Sequence, residues 1–316
     1  MKLPGDLDAA VAAWMAAHGR GGLAASAQQL SASYRKGKSS SQVNLAAYVA
    51  SRLPATFKAN VDVQQALAAA LPRFAPRTLL DIGAGPGVAT WAAVQAWATI
   101  ARVTQCEQDK NFATLAAELN AASGCTTLTE AEIILKSEAT LPPDISADLV
   151  TVSYMLAEMP LEHMAQIATR LWARARQVLV VIEPGTPQGF SRLRTVREAL
   201  LKQGAFVVAP CTHQNTCPMI AKDWCHFKTR VQRSREHMHA KQATVPFEDE
   251  AFSYLVLSRD PVIQTGARVV APVVVLKPGV SLRLCDASGL RDVTVASRDK
   301  PTYKRAKKTA WGHVWE

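Results

Sequence analysis

Apolar positions recur at helical spacing across residues 1–75, in DLDAAVAAWMAAHG, LAASAQQLSASYR, QVNLAAYVASRL and VDVQQALAAALPRF, with breaks where Gly, Ser and Pro cluster. From Arg77 the pattern changes to short apolar runs alternating with helix-like segments: RTLLDIG, ATWAAVQAWA, ARVTQCEQD, FATLAAELNAA, ADLVTVSYML, LEHMAQIATRLWARA and QVLVVIEPG. That cadence predicts a parallel sheet with helices on both faces. After Gly189 a basic helix, SRLRTVREALLKQG, leads into FVVAP and a cysteine-rich stretch. The last 70 residues carry β-type runs, FSYLVLSR, ARVVAPVVVL and VSLRLCDA, and end in the basic tail YKRAKKTAWGHVWE. The expected division is an N-terminal helical region over 1–75, an α/β domain over 76–208 and a cysteine-containing, basic, β-rich region over 209–316.

Composition narrows the class of partner. Hydrophobic residues make up 48% of the 316, ample for a core, so global disorder is excluded. A net charge of +10 points to a polyanionic partner, nucleic acid ahead of an anionic membrane. No apolar run reaches the roughly 18 to 20 residues needed to span a bilayer, and nothing in the chain points to a protein partner. The N-terminus carries two early aspartates and lacks a basic segment followed by an apolar one, so the expectation is a cytoplasmic protein. In a reducing cytoplasm, clustered cysteines are metal ligands or reactive thiols more often than disulfides.

The stretch LLDIGAGPGVAT sets Asp81, Gly83, Gly85 and Gly87 between an apolar strand and a helix. Glycines there permit a tight turn and let backbone amides approach a cofactor. The spacing G-x-G-x-G, with an acid two residues before it, departs from the dinucleotide fingerprint G-x-G-x-x-G. It is similar to motif I of class I S-adenosylmethionine (SAM) methyltransferases. The next strand ends in Glu107, placed for a carboxylate to accept both ribose hydroxyls, with Asp109 as the alternative acid. Tyr154 stands at the end of the fourth strand, where ligands bind in doubly wound sheets; it lines the pocket or merely packs. Glu183 faces the pocket or is structural. An Asn/Asp-Pro-Pro-aromatic motif is absent, and no residue is identified as a catalytic base.

Cys211, Cys217 and Cys225 follow one another as C-x5-C-x7-C, and Cys285 lies in RLCDASG. Four thiolates suit a tetrahedral zinc ion or a [4Fe–4S] cluster, and the spacing matches the usual motif of neither. His213 and His226 replace a ligand or are loop residues. A competing reading makes Cys211, after Pro210, the nucleophile of a C5-pyrimidine methyltransferase. Cys106 and Cys125 read as structural.

Taken together, YVASRLPATF, LLDIGAGPG, YMLAEMP, VVIEPGTPQGF, APCTHQNTCP, DWCHF, FSYLVLSR, LCDASG and WGHVW resemble the Rsm-twenty-two family of ribosomal small-subunit methyltransferase-like proteins. The likeness runs from about residue 30 to the C-terminus. It implies a class I, Rossmann-like methyltransferase fold that binds SAM at Asp81 to Gly87. It implies association with small-subunit rRNA or a pre-30S particle, in methylation or assembly. It also implies a C-terminal metal module with Cys211, Cys217, Cys225 and Cys285 as ligands, holding [4Fe–4S] in the mitochondrial relatives. Two basic runs fit RNA: six Lys/Arg against two acids over 222–241, and six against one over 298–308. Trp224, Phe227, Trp311 and Trp315 stack on bases or pack around the metal loop.

Overall fold

The run VLVVI at 178–182 is apolar at every position, as expected of a strand covered on both faces, and its side chains are at most 1% exposed. It belongs to an eight-stranded sheet built from β1 (Thr78–Ile82), β2 (Arg102–Glu107), β3 (Glu132–Leu135), β4 (Ala147–Ser153), β5 (Ala175–Pro184), β6 (Phe206–Ala209), β7 (Phe227–Gln232) and β8 (Phe247–Ser258). The structure is a computed structural model that describes residues 3–18, 25–27, 44–220 and 223–316. The strand order is β3-β2-β1-β4-β5-β8-β6, with β7 also paired to β8.

Strands β3, β2, β1, β4 and β5 are parallel, as the alternating pattern predicts. The expectation of a wholly parallel sheet is corrected at one edge. There β8, which contains FSYLVLSR, runs antiparallel to β5, β6 and β7. The sheet therefore continues past residue 208, because the chain leaves β6, forms the cysteine loop and β7, and then returns between β5 and β6.

Helices α1 (Gly5–His18), α2 (Leu45–Ser51) and α3 (Leu53–Ala70) precede the sheet. The expected helix LAASAQQLSASYR lies outside the described residues except for 25–27. The Asn44 side chain accepts the Ala47 amide proton at 3.0 Å to start α2, and Pro54 sits in the first turn of α3, where its missing N–H costs nothing. Helices α4 (Val88–Ala96), α5 (Lys110–Ala121), α6 (Thr126–Thr129), α7 (Met164–Arg174) and α8 (Pro187–Leu201) connect the strands.

Alternate residues of each strand face opposite layers. Leu79, Leu149, Val178, Val180 and Ile182 pack with Ala59, Val63 and Leu67 of α3. Leu80, Val150, Val152, Leu179 and Val181 pack with α7 and α8. In α7 the buried set Met164, Ile167, Ala168, Leu171 and Trp172 forms a single stripe of helical period.

Beyond the main sheet, α9 (Arg235–Lys241) links β7 to β8. The C-terminal region adds an antiparallel sheet of β9 (Ala267–Val269), β10 (Val274–Val275), β11 (Gly279–Asp286), β12 (Gly289–Ala296) and β13 (Val314–Trp315), with α10 (Lys300–Ala306). Among the described residues no helix is long and apolar enough to cross a membrane.

Candidate functional site

The chain reverses direction across the sheet between β1 and β4, so their carboxyl ends open the crevice where ligands bind in such folds. The glycine loop sits there. Gly83, Gly85 and Gly87 have φ of 69°, 53° and 84°. At Gly85 a Cβ would meet nothing within 4 Å, so the backbone borders open space. At Gly87 the φ of 84° strains any other residue, and a Cβ would fall 2.4 Å from Gln105 Nε2. Glu107, 9% exposed, accepts the Gly85 amide proton at 2.7 Å and that of Asp109 at 2.8 Å. The alternative acid, Asp109, caps α5 by accepting from Asn111 N and Phe112 N.

Asp81 lies beneath the loop and is fully buried. One carboxylate oxygen accepts the Thr151 hydroxyl at 2.8 Å; the other accepts the Thr90 hydroxyl at 2.7 Å and the Thr90 amide at 3.1 Å. Gln105 Nε2 donates to the Thr90 hydroxyl, and Asn120 Nδ2 donates to Gln105 Oε1. Burial raises the Asp81 carboxyl to about 6 against the pull of its Thr90 and Thr151 bonds. Asp81 thus ties β1, β4 and α4 together and holds the loop from below.

At the end of β4, Tyr154 is buried with φ 59°, and its hydroxyl donates to Glu250 Oε1 at 3.1 Å. Arg52 grips Glu250 with two bonds of 3.0 Å. Burial, then the Glu250 charge, pushes the Tyr154 hydroxyl well above its ordinary range. Ser153 beside it receives a bond from Asn60 Nδ2 at 2.9 Å. Glu183, completely buried at the end of β5, accepts the Leu156 amide proton at 2.8 Å and shapes the turn after β4. Its other oxygen has no partner among the described residues, and burial lifts its carboxyl to about 8.

The four cysteines come from distant parts of the chain and line one cavity, together with His213, Arg197 and Arg268. Cys211 follows β6, and its carbonyl accepts from Gln264 Nε2 at 2.7 Å. Cys225 precedes β7, and its carbonyl accepts the Ser253 hydroxyl at 2.7 Å. Cys285 stands in β11, and its carbonyl accepts the Thr212 hydroxyl at 3.3 Å. Burial, then neighbouring thiols, raises Cys285 to about 12 and Cys225 well above the ordinary range; burial also raises Cys217. Metal binding at Cys217, Cys225 and Cys285 would release their protons, since thiolates are the ligands.

Among the described residues no group of three or more His, Cys, Asp or Glu side chains is arranged to hold a metal ion. The expected ligands therefore share a cavity without forming a coordination site. His213 Nε2 lies 3.7 Å from Cys285 Sγ. His226 instead stacks on Trp224 and meets the edge of Trp311, and it does not line the cavity. Cys106 is buried, donates to Lys136 O and is raised to about 11 by burial; Cys125 is half-buried and packs with the N-terminal helices.

The two basic runs differ in the folded chain. Across the β7–β8 pair Arg230 meets Asp249, and Arg233 meets Glu248 together with His237 and Lys241 of α9, so three of the six Lys/Arg of the first run are paired with the acids of FEDEAF. Those acids follow the run in sequence, at Glu248 and Asp249 of β8. In the second run, Arg298, Lys300, Lys304, Arg305, Lys307 and Lys308 make no ion pair among the described residues. Arg305 lies 4.3 Å over the Trp315 ring.

Residues 42–316 match the family described as mitochondrial small ribosomal subunit Rsm22. The chain belongs to the Rsm22 family. It is 27% identical over 285 residues to the human ribosome assembly protein METTL17, mitochondrial, covering 84% of this chain and 61% of that protein. It is 24% identical to the Schizosaccharomyces pombe Rsm22-cox11 tandem protein 2, mitochondrial, covering 75% of this chain and 38% of that protein. The chain thus spans about three fifths or less of the length of these curated relatives.

The SAM-bound magnesium protoporphyrin IX methyltransferase of Synechocystis is a similar solved structure, with 14% identity, a TM-score of 0.46, and coverage of 74% of this chain and 97% of that one. By its own strand order, five parallel strands followed by an antiparallel return, the mixed α/β sheet of this Rsm22 member is consistent with a class I methyltransferase fold. The expected cytoplasmic location is corrected here, since the Rsm22 family and the relatives named are mitochondrial. A compartment is addressed by receptor-read signals rather than by the fold, and composition at the start of this sequence is no guide to it.

Sequence reasoning missed Arg52 and Glu250 at the switch point and Arg197 on the thiol cavity. Arg197 carried a signal: it falls in phase with Leu193, Val196 and Leu200 on the buried stripe of α8.

Proposed function

We propose that this chain is a SAM-binding, methyltransferase-like protein that serves the small ribosomal subunit, in rRNA methylation or assembly, and that Cys211, Cys217, Cys225 and Cys285 hold a metal group, [4Fe–4S] in preference to zinc. Within this reading, residues 1–75 cover the fold, 76–208 provide the cofactor loop, and 209–316 form the metal and RNA region. The observation that carries the cofactor assignment is Glu107 beside Gly85, a carboxylate next to backbone that borders open space. Asp81 supports the loop, Gly83 to Gly87 give the cofactor room, and Glu107 accepts the ribose hydroxyls.

The four thiols fit a cluster by their chemistry, since soft sulfur donors suit iron–sulfur and zinc alike. The preference for the cluster rests on the family resemblance, and the shared cavity supports a common metal group. The cluster would supply a cross-link between the loop after β6 and β11. RNA contact falls to the second basic run on and around α10, where phosphate neutralisation gives sequence-independent affinity.

One observation favours a second reading, a non-catalytic assembly factor that retains the fold. The residues at the end of β4, where an acceptor would approach, are bonded within the chain: Ser153 to Asn60, and Tyr154 to the Arg52–Glu250 pair. Incubation of immature small subunits with labelled SAM separates the readings. Methyl incorporation that disappears in Glu107→Gln, with RNA binding intact, supports an enzyme; RNA binding with no incorporation supports the assembly factor. A protein that binds neither SAM nor small-subunit RNA overturns both. Glu107→Gln suits this test better than a change at Asp81, which braces the sheet.

A further inference from the structure

Three guanidinium groups border the four-cysteine cavity; Arg194 is 40% exposed and lies near Glu198, and the other two are bonded differently. Arg268 donates through Nε to Pro210 O at 2.6 Å and through Nη1 to Gly312 O at 2.7 Å. Arg197 is 3% exposed and donates only through Nη2, to His213 O at 3.1 Å and Asn215 O at 2.6 Å. Its Nε and Nη1 are buried without a partner, and no carboxylate pairs with it among the described residues. Buried cationic N–H groups left unbonded are costly. Their side chain faces a cavity walled by Cys217 and Cys285, the thiols on which its charge acts.

We infer that Arg197 is a positioning residue for a polyanionic metal–sulfur group in this cavity, donating through Nε and Nη1 to its sulfur atoms. The inference rests on the four-cysteine reading proposed above. Four thiolates around an oxidised [4Fe–4S] core carry a net double negative charge. One electron, delivered by a mediator at a poised electrode, makes it triple. A fixed cation with N–H donors favours the more negative state, so Arg197 raises the reduction potential and holds the cluster in place. The two bonds through Nη2 fasten the loop 213–215 and account for one nitrogen of the three.

The test uses the full chain purified without oxygen, as wild type and as Arg197→Met, with iron and sulfide content and the midpoint potential of the one-electron reduction as readouts. The expected result is a more negative potential in Arg197→Met and faster loss of iron to a chelator. An Arg197→Met protein that retains the cluster at the wild-type potential overturns the inference alone. Wild-type protein without iron and sulfide overturns the cluster assignment proposed above, and this inference with it. Should Arg197→Met not accumulate, wild-type protein labelled with nitrogen-15 arginine decides. Pulsed electron paramagnetic resonance of the reduced cluster should then read an arginine nitrogen coupling, and its absence refutes the contact.

Discussion

Glu107, at the end of β2, accepts the Gly85 amide proton at 2.7 Å and so spans the mouth of the glycine loop. Its second oxygen is held by the Asp109 amide at 2.8 Å, which orients the carboxylate before any ligand arrives. Replacing it by Gln keeps an acceptor for one amide and removes the charge that best accepts two ribose hydroxyls. Glu107→Gln should weaken SAM binding about tenfold or more, on the order of 1.4 kcal/mol, with little change in melting temperature. Titration calorimetry checks this, and an unaltered affinity would remove Glu107 from the cofactor site.

Glu183 sets a pH dependence. Its folded carboxyl titrates at about 8 against an ordinary 4.5, mainly through burial. The folded state therefore keeps a proton that the unfolded chain has released, and stability declines as pH rises from near 4.5 through about 8. Asp81, raised from 3.8 to about 6, adds a decline in the same direction over a lower window. Glu248, lowered to about 2 by bonds to His237 and the nearby Lys241 charge despite burial, acts oppositely: its contribution is present above about 4.5 and is lost as pH falls towards 2. Glu183→Gln keeps an acceptor for Leu156 N and cannot ionise. It should come close to wild type near pH ~5 and exceed it by about 4 kcal/mol near pH ~8.5. Urea unfolding at both pH values decides, and parallel curves would mean that Glu183 does not titrate there.

The pair Arg52–Glu250 fastens α2 and α3 to β8, with side chains 10% and 12% exposed. Removing one member of a buried pair strands the other charge, whereas removing both need not destabilise. Glu250→Ala should cost about 3 kcal/mol, and the double variant Arg52→Met with Glu250→Leu should recover most of it. Tyr154 also loses its acceptor in Glu250→Ala, which adds to the loss. A single-variant cost below about 0.5 kcal/mol would place the pair among surface contacts.

Local chemistry was legible in the sequence wherever neighbours along the chain are neighbours in space. The apolar runs that became β1, β4 and β5, and the loop Gly83 to Gly87, are of this kind. What escaped depends on pairing across distance. The antiparallel entry of β8 follows from where the chain goes after β6, which no local period encodes. The charge of Arg230 and Arg233 is cancelled by Asp249 and Glu248 because β7 and β8 are adjacent antiparallel strands. Cys285 joins Cys211, Cys217 and Cys225 only through the packing of β11 against the loop after β6, so spacing alone left its membership open. Arg197 was readable as a phase on α8, yet a basic helix invites the assumption that every cation faces water.

Cys285 links the two sheets if its thiol is a ligand, so metal and folding should be coupled there. Metal binding stabilises the folded state by mass action, and a lost ligand weakens both binding and fold. In anaerobic preparations Cys285→Ser should hold less metal than wild type and lose about 3 kcal/mol, roughly 6 to 12 °C in melting temperature. The hydroxyl that replaces the thiol is nearly isosteric, so little of that loss comes from packing. After exhaustive chelation the two proteins should therefore melt together, because the difference between them resides in the bound metal. A deficit that persists in metal-free protein would make Cys285 a packing residue of β11, and equal metal content in the untreated proteins would remove it from the ligand set.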